Sequence, residues 1–149
     1  KALERFPSEP ELLAAKAGWN EALLDMFRHV EHVFKWGIYD RDPLPHWTAG
    51  RLTLLGDAAH PTMPTLAQGA NMAIEDGYVL ARALARHGDD VATALDAYPA
   101  ERKPRTDWVT LKSREQFANN RKVPPPPFVD RTWLFVNDVV RDDAVRAPA

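Results

Sequence analysis

The chain has 149 residues and a formal net charge of -2, from 19 Lys and Arg against 21 Asp and Glu. Hydrophobic residues make up 45% and charged residues 27% of it, a composition that predicts a folded globular domain rather than general disorder. The weak acidic balance gives no reason to expect nucleic acid or an anionic membrane as a partner. With no cysteine, disulfides and thiolate chemistry are excluded and a cytoplasmic location is the default expectation.

The first third of the chain predicts two helices and a strand. The segment "PSEPELLAAKAGW" begins with a capping pattern, because Ser8 and Glu11 can satisfy each other's backbone amides. The segment "NEALLDMFRHVEHV" places an apolar stripe at helical spacing. The segment "FKWGIYDRDPLP" alternates and ends in prolines, which predicts a strand leaving into a loop. Lys1 is not an initiator residue, so we expect a fragment.

The middle and last thirds predict one more strand and several helices. "RLTLLGD" is typical of a short strand buried on both faces, and "ANMAIEDGYVLARALARHG" of a strong helix. A further helix is expected from Asp89 to Asn120, in two pieces because Pro99 and Pro104 remove amide donors. Two buried strands cannot form a parallel sheet alone. The expected fold is therefore the C-terminal part of a larger α/β protein, mostly helical with a few strands.

The stretch "LLGDAAHPTMPTLAQGANMAIEDG", from Leu54 to Gly77, carries the chemistry. Amides from about Gly69 to Met72 open a helix and have no intrahelical acceptors, so they favour negative charge. Gly69 lets a flat ligand approach the backbone. The carboxylate of Asp57 suits ligand hydroxyls, whose hydrogen bonds it accepts. A ligand with a polyol chain for the carboxylate and an electron-rich head for the amides fits this pattern, and a flavin has these two parts.

This stretch resembles the second flavin-binding motif of the single-component (group A) FAD-dependent aromatic hydroxylases, the salicylate and hydroxybenzoate branch in particular. The likeness extends from "YDRDPLPHW" to "YPAERKPRTDWV", about half the chain or somewhat more. It implies a Rossmann-like FAD/NAD(P)-binding hydroxylase fold, FAD as cofactor and NADH or NADPH as co-substrate. It also implies an aromatic acid or phenol that is hydroxylated with O2. The family's N-terminal glycine fingerprint is absent, so we expect the other half of the cofactor site in a missing N-terminal part.

The resemblance also implies roles for particular residues. Asp57 matches the acid that binds the ribityl hydroxyls, and Pro64 the loop position near flavin C4a. We expect a substrate wall from Trp36, Met63 and Pro64, and no metal. The expected cofactor contacts are Gly56, Asp57, Gln68, Gly69, Ala70 and Asn71.

Several polar residues near the motif have plainer explanations than catalysis. His60 is expected to order the loop. Glu75 and Asp76 are expected to be structural, for instance by pairing with Arg51. Arg102 and Arg105 are interpreted as solvated helix charges, although contact with nicotinamide phosphates is the alternative.

These expectations divide the chain into residues 1–46 (end of a substrate-binding domain), 47–88 (second half of an FAD-binding domain) and 89–149 (a C-terminal helical region). The expected partners are a small aromatic substrate, O2 and the missing N-terminal part, with a homodimer possible and with neither nucleic acid nor membrane. Two alternatives remain open: a flavoprotein of the same fold that oxidises or epoxidises a non-aromatic substrate, and a non-catalytic helical module.

Overall fold

The computed structural model of the chain describes residues 9–31, 37–124, 126, 131–135 and 137–140. It divides into two units, Lys1–Ile38 and Tyr39–Ala149. Within the described residues, no helix is both long enough and apolar enough to cross a bilayer.

The first unit contains two short helices, α1 (Glu9–Ala15) and α2 (Glu21–Arg28). Asn20 caps α2 by accepting a hydrogen bond from the Ala22 amide at 2.9 Å, which satisfies one of the free donors at the helix start. Helix α2 is shorter than the predicted segment 20–33. Ser8, of the predicted capping pair, and Trp36 lie outside the described residues.

A strand is predicted at 34–45, of which the structure describes residues 37–45. These residues are irregular and form no strand. Side chains tie residues 40–42 to the rest of the second unit. The guanidinium of Arg114 donates to Asp40 and Asp42 at 2.7 and 2.8 Å. Arg41 donates to the carbonyl of Ala58. Prolines at 43 and 45 explain the outcome, since they lack the amide donors that a central strand needs.

The predicted strand at 51–57 is shorter and differently paired. Strands β1 (Thr48–Ala49) and β2 (Leu52–Thr53) form an antiparallel hairpin, with Thr48 opposite Thr53. Gly50 has φ +60°, the left-handed conformation that a tight hairpin turn requires. The prediction of burial on both faces is wrong, since Leu52 is 61% exposed. An antiparallel hairpin can leave one face in solvent, and the hydrophobic run alone did not distinguish the two cases.

Helices α3 (Gly69–His87) and α4 (Val91–Asn119) pack against each other in the second unit. Between them, Gly88 ends α3 with φ +56°. Asp90 then caps α4 by accepting from the Thr93 amide at 3.1 Å. The predicted end of α3 at Gly88 is confirmed.

Helix α4 is continuous, so the prediction of two pieces is wrong. Pro99 and Pro104 both lie inside it. A proline inside a helix costs about 3 kcal/mol, through a lost hydrogen bond and a clash with the preceding turn. Pro99 is buried, and burial along the helix offsets this cost. The buried residues of α4 are Ala94, Leu95, Tyr98, Pro99, Arg102, Arg105, Thr106, Val109, Thr110 and Ser113.

The hydrophobic core joins α3, α4 and the segment before β1. Trp47 belongs to it, and its ring centroid lies 5.7 Å from that of Tyr98, another member, and 5.3 Å from that of His60. The remaining buried members of this cluster are Ala59, Val79, Ala83 and Ala94. The core therefore lies directly behind the turn at residues 56–60.

Candidate cofactor-binding site

The turn after β2 is a single 3-10 turn, Gly56–Ala58, whose geometry requires glycine. Gly56 has φ +60° and is buried. A Cβ atom there would lie 3.2 Å from the Cβ of Ala73 on α3, closer than ordinary van der Waals contact. Because Ala73 has a small side chain and Gly56 has none, the turn can pack closely against α3.

Asp57 follows Gly56 in this turn and is exposed. Its Oδ1 atom lies 4.0 Å from the position that a Cβ atom would take at Gly69. Among the described residues, no hydrogen bond or ion pair is seen for its carboxylate. Asp57 is therefore a charged acceptor beside the start of α3, open to a ligand.

The start of α3 offers backbone hydrogen-bond donors close to the Asp57 carboxylate. The first bond closing the helix runs from the Met72 amide to the Gln68 carbonyl at 2.9 Å, and Gln68 makes no side-chain cap. The amides of Gly69, Ala70 and Asn71 precede that bond and have no acceptor within the helix. A donor edge and a carboxylate acceptor thus lie next to each other.

The loop between the turn and the helix is fixed by α4. A second 3-10 turn, Pro64–Leu66, buries Leu66 and leaves Pro64 exposed. The hydroxyl of Thr65 donates to the Ser113 carbonyl of α4 at 2.5 Å. Met63, just before this turn, is half-buried.

A buried carboxylate lies under the turn. Asp76 of α3 is completely buried, and its Oδ2 accepts from the Gly56 amide at 3.1 Å and lies 2.5 Å from His60 Nε2. Arg102 Nε donates to Oδ1 at 2.7 Å. Burial by itself raises the pKa of Asp76, but the hydrogen bonds and charges of His60 and Arg102 outweigh burial and hold that pKa below its ordinary value.

Two arginines of α4 complete this network. Arg102 and Arg105 are 0% and 2% exposed. Glu75 Oε2 lies 2.7 Å from Arg102 Nη1 and 3.2 Å from Arg105 Nε. The interpretation of these arginines as solvated helix charges is wrong, and the suggested pairing of the acids with Arg51 is replaced by pairing with α4. Buried charges whose partners lie on other segments result from tertiary packing, which helical spacing does not encode.

The structural roles expected for His60, Glu75 and Asp76 agree with this geometry. The network itself was missed, although a signal was available. Arg102 and Thr106 lie on the same helical line as Tyr98 and Val109, at spacings of three and four residues. A guanidinium on an apolar stripe indicates a buried pair.

The residues present fit a flavin nucleotide. The exposed Asp57 carboxylate can accept hydroxyl hydrogen bonds, and the α3 amides can donate to an electron-rich ring edge. At Gly69, a Cβ atom would lie 3.3 Å from Thr62 Oγ1, closer than ordinary van der Waals contact, so a residue without a side chain suits this position. The fold and the site thus define half of a cofactor cradle.

Comparison with known proteins identifies the cofactor. The family model described as "FAD binding domain" matches residues 14–113, about two thirds of the chain. The chain belongs to this family, and FAD is the cofactor that the family binds.

Several relatives that match most of this chain are monooxygenases by name. The chain is 46% identical over 111 residues to a 3-amino-4-hydroxybenzoate 2-monooxygenase of Streptomyces platensis, covering 74% of this chain and 28% of that protein. It is 40% identical over 134 residues to a 6-hydroxynicotinate 3-monooxygenase of Pseudomonas fluorescens, and the match covers 88% of this chain and 30% of that protein. A salicylate hydroxylase solved as its substrate complex superposes with a TM-score of 0.74 at 28% identity, covering 91% of this chain and 36% of that one.

These comparisons confirm the resemblance seen in the sequence and the fold class, part of an FAD/NAD(P)-binding hydroxylase fold. The chain spans less than a third of the length of the two curated relatives. The ligand contacts of Gly56, Asp57, Gln68 and the α3 start remain predictions, as do those of Met63 and Pro64.

Proposed function

We propose that the chain is the C-terminal part of an FAD-dependent monooxygenase that hydroxylates an aromatic acid or phenol with NADH or NADPH and O2. The placement of the exposed Asp57 carboxylate beside the Gly69 helix start carries this proposal, because it offers both contacts that a flavin needs. A dinucleotide-binding half in the rest of the protein would complete the site. The names of the relatives, which act on hydroxybenzoates and hydroxynicotinate, support the aromatic substrate.

In this proposal each part of the stretch has one task. Asp57 accepts hydrogen bonds from the ribityl hydroxyls, in a turn whose path Gly56 permits. The amides of Gly69, Ala70 and Asn71 would donate to the pyrimidine edge, and Gln68 would contact the cofactor beside them. The α3 dipole stabilises negative charge on the reduced ring. Bound FAD would supply the redox chemistry, for which NAD(P)H is the reductant and O2 the oxidant.

The loop at 61–66 and residue 36 would form the substrate side. Pro64 is exposed on a turn fixed to α4, and Met63 lies beside it. Trp36 is proposed as a third wall residue on sequence grounds alone. In the domain division proposed with this function, 1–46 ends a substrate domain, 47–88 holds this half of the FAD site, and 89–149 supports it. A cytoplasmic homodimer is part of the same proposal.

The test uses the full-length protein that contains this chain. Purified protein supplied with FAD should retain flavin absorbance after gel filtration. It should then oxidise NADH or NADPH and consume O2 faster when a hydroxybenzoate or hydroxynicotinate is added, with a product heavier by one oxygen atom in mass spectrometry. If the protein retains no flavin after gel filtration, the alternative of a non-catalytic helical module is favoured instead. If the flavin is reduced but product forms only from non-aromatic substrates, the alternative of a same-fold flavoprotein that acts on a non-aromatic substrate is favoured instead.

A further inference from the structure

The turn that presents Asp57 is held from inside the core by one oxygen atom. Oδ2 of Asp76 accepts from the Gly56 amide at 3.1 Å and lies 2.5 Å from Nε2 of His60. Gly56 begins the turn and His60 lies two residues beyond its end, where the His60 amide donates to the Gly56 carbonyl at 2.9 Å. Both ends of the segment that carries Asp57 are therefore held by a single buried carboxylate.

The other oxygen of Asp76 links this turn to α4 and to the start of α3. Arg102 Nε donates to Oδ1 at 2.7 Å, and Arg102 Nη2 donates to the Met72 carbonyl at 3.3 Å. Met72 closes the first bond of α3, next to the amides that face the ligand. One guanidinium therefore fixes both the carboxylate under the turn and the first turn of the helix.

We propose that Asp76 and Arg102 are positioning residues for the cofactor, setting the distance between the Asp57 carboxylate and the α3 amides without touching the ligand. This inference rests on the proposed function and adds two residues to it. Buried and paired side chains have few alternative rotamers, so they hold a ligand-facing turn more closely than solvated residues do. The negative charge of Asp76 is essential here, because it serves three donors on two other segments.

Glu75 provides a matched control on the same helix. It pairs with Arg102 and Arg105, so its removal also disturbs buried arginines. None of its contacts in the described residues reaches Gly56 or His60. A purely structural role for the network predicts similar effects of Asp76→Asn and Glu75→Gln, whereas a positioning role separates them.

The experiment measures FAD dissociation constants in the full-length protein, well below the melting temperature of each variant. Asp76→Asn should weaken FAD binding about tenfold or more, as expected when hydrogen bonds to a charged group are lost. Glu75→Gln should lower the melting temperature while changing the FAD dissociation constant less than about twofold, within the usual scatter of such effects. Equal effects of the two variants on FAD binding would overturn the proposal.

A double-mutant cycle tests whether Asp76 acts through Asp57. If Asp76 serves to place the Asp57 carboxylate, Asp76→Asn should have a much smaller effect on FAD binding in an Asp57→Asn background. Additive effects would overturn the proposal. A wild-type protein that binds no FAD at all would instead refute the proposed function itself, so the two failures are distinguishable.

A second variant keeps the test valid if Asp76→Asn does not fold. Asp76→Leu combined with Arg102→Met replaces the buried pair with apolar side chains, an exchange that folded proteins often tolerate. Glu75 keeps Arg105 as its partner in this variant. We expect a folded protein whose FAD binding is weakened as in Asp76→Asn. Wild-type affinity in this variant would overturn the proposal.

Discussion

Asp57 and Gly69 face each other across the candidate site, with the Asp57 Oδ1 atom 4.0 Å from the position of a Cβ atom at Gly69. The Asp57 side chain and the backbone of Gly69, which carries no side chain, thus border the same space. This relationship separates the ligand-facing layer of the site from the buried layer beneath it, and substitutions in the two layers should have different consequences.

Replacement of Asp57 should affect binding but not folding. Asp57→Asn removes a charged acceptor from an exposed position, so FAD affinity of the full-length protein should fall about tenfold to a hundredfold. Stability of the apoprotein should change by less than about 0.5 kcal/mol. Fluorescence titration with FAD and thermal unfolding measure the two quantities. Asp96→Asn, at an exposed position of α4, is the matched control, and equal FAD affinity in both variants would contradict a cofactor role for Asp57.

Replacement of Gly69 should close the space in front of the helix start. The new Cβ in Gly69→Ala would lie 3.3 Å from Thr62 Oγ1, and we expect FAD affinity to fall. Thr62→Ala removes that oxygen and relieves the contact within the protein. If the methyl group excludes the ligand, the double variant should remain weak in equilibrium dialysis with FAD. Recovery of wild-type affinity in the double variant would show that a displaced Thr62 was the cause.

Gly56 and Gly50 form a matched pair for backbone strain. Both have φ +60°, where an alanine costs roughly 1–2 kcal/mol. Nothing among the described residues lies within 4 Å of a Cβ atom at Gly50, whereas at Gly56 it would lie 3.2 Å from Ala73 Cβ. Gly56→Ala should therefore destabilise the protein by about 1–3 kcal/mol more than Gly50→Ala, the usual cost of overpacking. Urea unfolding measures the difference, and Ala73→Gly should recover part of it. Equal losses would show that the contact is relieved without cost.

The network under the turn should make stability depend on acid pH. Because His60 and Arg102 lower the pKa of Asp76 despite its burial, the carboxylate stabilises the fold above its ordinary pKa of 3.8. That contribution is lost as the pH falls below 3.8 towards the lowered value, by at most about 1.4 kcal/mol per pH unit for one proton. The hydroxyl of Tyr98 also faces this group. Free energies of unfolding between about pH 6 and 2 should fall more steeply in the wild type than in Asp76→Asn, and parallel curves would contradict the assignment.

The sequence was sufficient for the order of the local elements around Asp57, whereas its ligand contacts stay predictions. The order of strand, Gly-Asp turn, proline-rich loop and glycine-opened helix is local, and each element depends on its own residues. Gly69 does begin α3 and Gly56 does form the turn. The family was recognisable from the same stretch, and the comparisons confirm it.

The sequence was insufficient wherever burial decided the outcome. The two prolines of α4 predicted a break, but ten buried residues hold the helix together. Leu52 belongs to an apolar run that predicted a buried strand, yet it is exposed on a hairpin. Propensity and periodicity describe a segment alone, whereas these results depend on what the segment packs against.

By itself, then, the sequence determined the family, because the motif that identifies it is contiguous, and the turn that carries Asp57, because the backbone conformation of glycine is local. Only the tertiary structure showed that Asp76, Arg102 and His60 form one buried network beneath that turn. A charged side chain can leave water only when partners from distant segments compensate it. Such partners meet through folding, so spacing along the chain does not reveal them.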